Sequence, residues 1–425
     1  MTWPRVQLKQ VASVSVSTVD KKSSENERAV RLCNYVDVYK NDLIDASLDF
    51  MQATASPSQI RSFGLRAGDT VITKDSETAD DIAVPAYIVE TIEGLVCGYH
   101  LAVVRPGPRL DPKYLFWCLT SQPMREQAAV AATGVTRFGL RQQSIRNTFL
   151  SLPSLSEQRR IADFLDSETT HIERLQVLLG RVGKLLEERR QACVRHAVAD
   201  LGAPTRKPVH LGWVASVPAD WPVIPLKHVA RYGSGHTPSR THPEYWVDCN
   251  IPWISLFDVG RMRDPRMERI YETSQSISNL GIANSSACVH PAGTVVLSRT
   301  ASVGFAAIMG VEMAVSQHFA TWTCGPRLLP EYLLHLLRAM KQTWQSLQVG
   351  TTNVTVFMPD LMALSIPLPP LDEQRAIVSR IASTTAQIDK MVDHLVRQRR
   401  LLAERRQALI TAGIMGDLAT ARGAT

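Results

Sequence analysis

A ten-residue motif occurs twice in this chain. Leu152-Pro-Ser-Leu-Ser-Glu157-Gln158-Arg159-Arg-Ile161 returns as Leu368-Pro-Pro-Leu-Asp-Glu373-Gln374-Arg375-Ala-Ile377, an offset of 216 (368 − 152). The register then holds without a gap, because Lys184-Leu-Leu-Glu-Glu-Arg-Arg-Gln-Ala192 reappears as Arg400-Leu-Leu-Ala-Glu-Arg-Arg-Gln-Ala408. Upstream, Gly134-Val-Thr136 is echoed by Gly350-Thr-Thr352 at the same offset. A unit of this length is far too long for a solenoid repeat. The 425 residues are therefore read as two tandem copies of one domain-plus-helix unit.

Fainter echoes keep the same order through the segments between these stations. Trp3-Pro4 and Leu8-Lys9 match Trp221-Pro222 and Leu226-Lys227, and His100-Leu-Ala102 matches His318-Phe-Ala320, both at offset 218. Gly68 to Lys74 resembles Gly293 to Arg299 at offset 225, which places insertions between the stations, where surface loops absorb them. Each unit opens with about 150 residues of short β-branched and aromatic runs, such as Asp69 to Thr73 and Val295 to Leu297, punctuated by Gly and Pro. A helical piece near the end of each, Pro112 to Ala129 and Pro330 to Gln345, starts with Pro at a helix-compatible position. The expected fold class is mixed α/β (α+β).

The last part of each unit predicts a long helix, with Ser156 or Asp372 as its N-cap. Apolar residues step by fours and threes through Ile161, Leu165, Ile172, Leu175, Leu179, Val182 and Leu186, and again through Ile377, Ile381, Ile388, Met391, Leu395, Leu402 and Leu409. These are heptad seams with charged flanks. At 1.5 Å per residue, some 40 residues make a rod of roughly 60 Å, which reads as a spacer. The expected boundaries are a first domain at 1–150, a central helix at 151–200, a linker at 201–220, a second domain at 221–367 and a C-terminal helix at 368–418.

Composition excludes several classes. A hydrophobic fraction of 45% with 20% charged residues is not that of a disordered chain. The most apolar stretch, Val295 to Val315, is broken by Arg299 and Glu312, so no membrane span is expected. Seven cysteines without a Cys-x-x-Cys pair fit neither a disulfide framework nor a zinc cluster, and a reducing cytoplasm is the expected location. The net charge of +7 hints at an acidic partner, yet Lys plus Arg only just exceeds Asp plus Glu in either domain, by 17 to 16 over 1–150 and 11 to 9 over 221–368. Charge alone does not separate a nucleic-acid surface from an ordinary mixed-sign one. No phosphate loop, zinc-protease, nucleophile-elbow or dinucleotide motif is present, and the sequence nominates no catalytic residue and no metal ligand. His100 and His318, matched between apolar residues, are read as structural groups.

Tandem domains of this size, each followed by Leu-Pro-x-Leu-x-Glu-Gln-Arg and a heptad helix, resemble the specificity subunit of type I restriction-modification enzymes. Gly233-Ser-Gly-His-Thr-Pro-Ser239 with Glu244-Tyr-Trp246, Ile251-Pro-Trp-Ile-Ser255, and the run Pro291 to Gly304 with Gln317 strengthen the likeness, which spans essentially the whole chain. The first domain departs from the usual wording at Thr54 to Phe63. The resemblance implies two target-recognition domains, each reading half of a split double-stranded DNA site, held apart by an antiparallel coiled coil. It implies a non-catalytic subunit that binds two methyltransferase and two restriction-translocase subunits, with S-adenosylmethionine, ATP and Mg²⁺ on those partners and no cofactor here. A specificity chain serving a fused nuclease-methyltransferase, or a coiled-coil scaffold that binds no DNA, remain the alternatives.

Candidate DNA contacts follow from side-chain chemistry and matched position. Thr136 and Arg137 follow Gly134, and Thr352 and Asn353 follow Gly350; Arg pairs with guanine and Asn with adenine. Lys74 and Arg299 end equivalent strands, with Ser298 beside the latter, and Thr237, Ser239 and Arg240 lie in the Gly-Ser-Gly segment. For Glu157, Gln158 and Arg159, and for Glu373, Gln374 and Arg375, partner docking competes with helix capping.

Overall fold

The structure, a computed structural model, describes residues 3–350 and 354–417. The chain divides into two compact units, one running to Gly180 and taking in the residues from Leu395 onward, the other running from Arg181 to His394. Two long helices, Leu155–Val198 and Leu371–Met415, each contribute a portion to both units.

Each unit is built on a five-stranded sheet of the same topology. In the first, the order is Ala12–Val16, Leu101–Pro106, Thr70–Thr73, Pro85–Ile88 and Leu43–Ile44; in the second it is Ala230–Ser234, Phe319–Cys324, Val295–Ser298, Ala306–Met309 and Arg269–Ile270. In both, only the last edge strand runs parallel to its neighbour. The central strand is buried on both faces, which is why Thr70–Thr73 and Val295–Ser298 read as continuous β-branched runs rather than as alternating ones. Their side chains alternate between two cores. Ile72 packs with Tyr114 and Leu115 of the adjoining helix while Val71 faces Val103 and Ile88; likewise Leu297 joins Leu333 and Leu337, and Val296 joins Met309 and Phe319. The turn before each central strand uses a glycine with positive φ, Gly68 at 89° and Gly293 at 85°.

The helical piece in each domain is two helices, Pro112–Thr120 then Gln122–Ala131, and Pro330–Ala339 then Lys341–Leu347. Ser121 adopts an extended conformation and its hydroxyl donates to Cys118 O at 2.6 Å, ending the first helix before Pro123 can start the next. The long helices also begin earlier than their expected caps. Ser154, not Ser156, accepts the Glu157 N–H (3.3 Å), and Asp372 lies in the first turn, paired with Arg375 at 2.7 Å. An acid in that position complements the helix dipole. The first helix ends under Arg206, which donates to the Ala199 carbonyl at 3.2 Å from the paired strands Arg206–Pro208 and Ser216–Pro218.

Within each unit the two helix portions run antiparallel. In the first, Ile161 and Leu165 pack on Ile410 and Ile414, and Arg406 reaches back to Glu173 (3.5 Å) and to Asp42. In the second, Ala197 packs with Ile377 and Ile381, and Arg190 reaches Asp389. Arg190 and Arg406 are the same station of the repeat, as are Glu173 and Asp389, so one ion pair recurs. The heptad seam is buried near the domains, at Ile161, Leu165, Ile172, Ile377, Ile381 and Ile388, but Val182 (43%) and Met391 (49%) are exposed.

The Glu-Gln-Arg triplets are explained by their glutamines. Gln158 is 1% exposed; its Oε1 accepts the Asp111 N–H (2.8 Å) and its Nε2 donates to Arg109 O (3.1 Å) and Pro153 O (2.9 Å). Gln374, fully buried, makes the same three bonds to Leu329 N, Arg327 O and Pro369 O. This corrects the expectation that these two glutamines face a partner, because the whole amide is used to tie helix to domain. Their neighbours face outward: Arg159 stands 3.7 Å from Asp111, and Glu157 is held below the usual carboxylate range by the Arg160 guanidinium. Glu373 accepts the Trp221 indole N–H at 3.0 Å. Gln158→Ala strands one buried N–H and two carbonyls and is expected to cost about 1–3 kcal/mol, read as a lower urea midpoint; an unchanged midpoint would contradict the assignment.

Candidate nucleic-acid interface

The stations matched in sequence meet at one corner of each domain. In the first, the Lys74 N–H donates to His100 O (3.0 Å) and Lys74 O accepts from Leu140 N (2.8 Å). In the second, Arg299 N donates to His318 O (2.9 Å) and Arg299 O accepts from Val356 N (2.9 Å). A loop closes over each corner. Thr133 and Gly139 exchange both backbone bonds (3.1 and 2.9 Å), and so do Val349 and Thr355 (3.1 and 3.0 Å), pairs that lie 216 positions apart. The end of each loop also bridges the residue after the basic one, Gly139 to Asp75 and Thr355 to Thr300. Three segments distant in sequence are thus fixed by one backbone frame that recurs in both domains.

The frame carries different side chains in the two copies. In the first domain, Asp75 is the hub: Lys74 Nζ lies 2.8 Å and His100 Nδ1 2.7 Å from its Oδ2. Burial alone would raise the Asp75 carboxyl, but hydrogen bonds and charge from Lys74 and His100 outweigh it and hold it below its ordinary range. Lys74, its side chain 12% exposed, also lies over the Tyr99 ring at 4.7 Å. The lysine expected to reach DNA is therefore held within the domain. Arg137 differs. It is exposed, and its Nη2 lies 3.4 Å from His100 Nδ1, a nitrogen that cannot accept while it donates to Asp75. Its guanidinium is left facing outward from the loop beside exposed Thr136. His100, read from sequence as structural, lies in this group with its side chain 31% exposed.

In the second domain, Thr300 stands where Asp75 does, and the acidic hub is gone. Arg299 donates instead to the carbonyls of Gln317 (3.1 Å) and Val356 (3.3 Å), and burial together with the Arg299 charge lowers the pKa of His318. Ser298 is wholly buried, its hydroxyl accepting the Phe305 N–H at 3.0 Å, so it presents nothing at the surface and its expected DNA contact is corrected. Thr237 donates to Gln317 Oε1 (2.6 Å), joining the Gly-Ser-Gly segment to the same corner. Exposed Ser239 pairs with Thr241 (2.7 Å), and Arg240 stacks on Trp246 at 4.2 Å while reaching Gln275 at 3.4 Å. Thr352 and Asn353 fall outside the described residues. Sequence reasoning missed Asp75 and Tyr99 because neither has a counterpart in the repeat. Gln317 and Trp246 are legible as motif residues, but their parts in holding Thr237 and Arg240 are visible only in the structure.

Among the described residues no group of three or more His, Cys, Asp or Glu could hold a metal ion, and no helix is long and apolar enough to cross a membrane. A Cβ on Gly134 (φ 145°) would lie 2.0 Å from Arg137 O. Gly134→Ala is therefore expected to open the loop, with at least about tenfold faster amide exchange at Thr133 and Gly139; retained protection would refute the loop geometry.

Comparison with known proteins agrees with the duplicated architecture. The family model described as the type I restriction modification DNA specificity domain matches residues 2–178 and again 218–392. A specificity subunit of the type I restriction enzyme MjaIX from Methanocaldococcus jannaschii is 26% identical over 193 residues, covering 44% of this chain and 42% of that protein. The EcoR124I/EcoR124II specificity subunit from Escherichia coli is 24% identical over 41% of this chain and 43% of its own length. These two matches span less than half of either relative, whereas the MjaVIII specificity subunit of M. jannaschii, 21% identical, matches over 77% of this chain and 75% of its own. In fold, the chain is similar to a structure described as explaining complex assembly and conformational transition of the type I R-M system, with TM-score 0.74, 20% identity and 98% of both chains covered. It is also similar to the HsdS subunit from Thermoanaerobacter tengcongensis, with TM-score 0.54, 22% identity, and 98% and 97% covered. With two copies of the family's domain accounting for most of its length, the chain belongs to the type I restriction-modification DNA specificity family.

Proposed function

We propose that this chain reads an asymmetric, bipartite double-stranded DNA site and carries no catalytic activity of its own. The observation that supports this best is the recurrence of one backbone corner with unlike side chains, Lys74, Asp75 and Tyr99 in one domain against Arg299, Thr300 and Gln317 in the other. Two similar frames with different polar surfaces suit two half-sites of different sequence, as two diverged halves of a dimer would. Arg137, Thr136, Thr237, Ser239 and Arg240 are the described residues best placed to contact bases or phosphates, with Lys74 and Arg299 shaping the loops that carry them. The long helices act as the spacer that sets the gap between half-sites. Because adenine methylation requires the base to leave the stack, the chain holds the flanking duplex while a partner acts. Two methyltransferase subunits using S-adenosylmethionine and two restriction subunits using ATP and Mg²⁺ complete the complex in the cytoplasm, docking in part on Glu157, Arg159, Glu373 and Arg375.

A map of methylated adenines in the host, with and without the gene, tests the reading directly. Loss of one bipartite motif on deletion is expected; an unchanged map together with no duplex binding by the reconstituted complex would favour the scaffold alternative. Removing one heptad from each long helix should change the gap and leave both half-sites as they were, and altered half-site sequences would refute the spacer role. Arg137→Ala should weaken duplex binding and lower the slope of log K against log salt by about 0.9 for one lost phosphate contact. An identical salt titration would remove Arg137 from the interface.

A further inference from the structure

Each polar corner is flanked by a turn that the repeat in sequence does not reveal. In the first domain, strand Arg28–Cys33 runs parallel to Leu95–Cys97 and the Cys33 carbonyl accepts the Gly98 N–H at 2.9 Å. In the second, Ile251–Ile254 runs parallel to Met313–Val315 and the Ile254 carbonyl accepts the Ser316 N–H, also at 2.9 Å. Each strand ends in the same cap. The Asn34 N–H donates to the Asp37 carboxylate (2.7 Å) and the Ser255 N–H to that of Asp258 (2.9 Å), stations 221 positions apart (255 − 34). Asp258 is buried, and its other oxygen accepts the Ser274 N–H at 2.7 Å, so the backbone of this turn is pinned from two sides.

These turns reach the corners, since Gly98 and Ser316 lie two residues before His100 and His318. In the first domain Tyr35 follows the cap. Burial and the Asp81 charge raise its pKa, while the Ser76 hydroxyl and the Arg137 guanidinium, both close enough to act on the phenol, oppose the rise. Ser76 is itself paired with Phe138 of the closing loop. The Tyr35 ring stacks on Tyr39 at 5.4 Å, and the Tyr39 hydroxyl donates to Asp81 at 2.7 Å. In the second domain the two residues after the cap are Leu256 and Phe257. Phe257 is 73% exposed, and among the described residues no other Phe, Tyr or Trp is so exposed. Exposed Arg261 and Arg263 follow it, and the Arg263 guanidinium donates to Ser302 (3.1 Å), two residues beyond Thr300 of the corner. Small apolar residues scattered over a surface need no explanation, but an aromatic ring held in water on a pinned turn between cations does.

We propose that the two capped turns are specificity-determining elements: Phe257 packs on the 5-methyl group of a thymine in the half-site read by the second domain, and Tyr35 hydrogen-bonds a base edge beside Arg137 in the other half-site. The inference rests on the reading of the chain as a DNA-recognition subunit. A phenyl ring has no donor or acceptor, so it reads neither phosphate nor the polar edges of bases, and the thymine methyl is the apolar group that a base pair presents in the major groove. Arg261 and Arg263 supply charge that draws the phosphate backbone to the same edge. Tyr35 carries a hydroxyl where Leu256 has none, so the first turn contributes a polar contact where the second contributes an apolar one.

The test uses the full chain assembled with its methyltransferase partner, on duplexes carrying the methylated site with each thymine replaced in turn by uracil, which removes the methyl group and keeps the pairing. Uracil at one thymine of one half-site should weaken binding about fourfold, the worth of one methyl group. Phe257→Ala should weaken binding of the thymine duplex by at least that factor and erase the difference between thymine and uracil, with an unchanged urea midpoint because the ring is exposed. Tyr35→Phe should relax the methylated motif at one position of the other half-site. Duplex binding with no response to any uracil, or a thymine–uracil difference that survives in Phe257→Ala, overturns the Phe257 contact and leaves the recognition role standing. No duplex binding by the unaltered complex overturns that role and the contact together. Relaxation of the same half-site by both variants, or none by Tyr35→Phe, overturns the Tyr35 contact.

Discussion

Two buried glutamine side chains decide how each domain meets its helix. Gln158 and Gln374 are short enough to hold the turn before the helix and long enough to reach the loop that precedes the Pro112 or Pro330 helix. Each makes three bonds from a desolvated amide, and a half-satisfied amide there would cost more than the bonds contribute in water. The sheet lies under that helical layer, and the central strand and loop lie on the sheet. The orientation of the polar corner relative to the long helix thus follows from three hydrogen bonds repeated in each half.

Divergence between the halves occurs as substitutions in register. Asp69 takes a two-pronged ion pair from Arg105 (2.7 Å each), while the same stations in the second unit, Thr294 and Thr323, share a hydroxyl hydrogen bond at 3.0 Å. Both solutions join neighbouring strands through matched polar groups, so the frame is kept while charge is exchanged for neutrality. The same reasoning applies at the corner, where removal of Asp75 frees the basic residue to bond backbone carbonyls. A chain that must read two unlike half-sites needs such latitude in side chain on an unchanged backbone.

Charge availability is set by local geometry more than by residue type. Lys74 and Arg137 are both basic and close in space, yet Asp75 binds one and, by taking the His100 Nδ1 proton in a hydrogen bond, leaves that nitrogen unable to accept from the other. The sequence offered both as candidates, because the competition for a single carboxylate is a three-dimensional fact. Ser298 shows the same limit: its place at a strand end was legible, but which face of the strand it occupies depends on the pairing with Phe319.

The repeat alone determined the duplicated architecture, the two long helices and the insertion points, because register and heptad spacing are properties of linear order. It also picked out Gly68, Gly134, His100 and their copies, since backbone constraints leave the same residue at the same station. Tertiary structure alone decided that the glutamines of the Glu-Gln-Arg triplets are internal and that the second arginine of each Glu-Arg-Arg-Gln run pairs across the helices. Those outcomes depend on which groups lose water together, and burial is a property of the packed chain that spacing along the sequence does not encode.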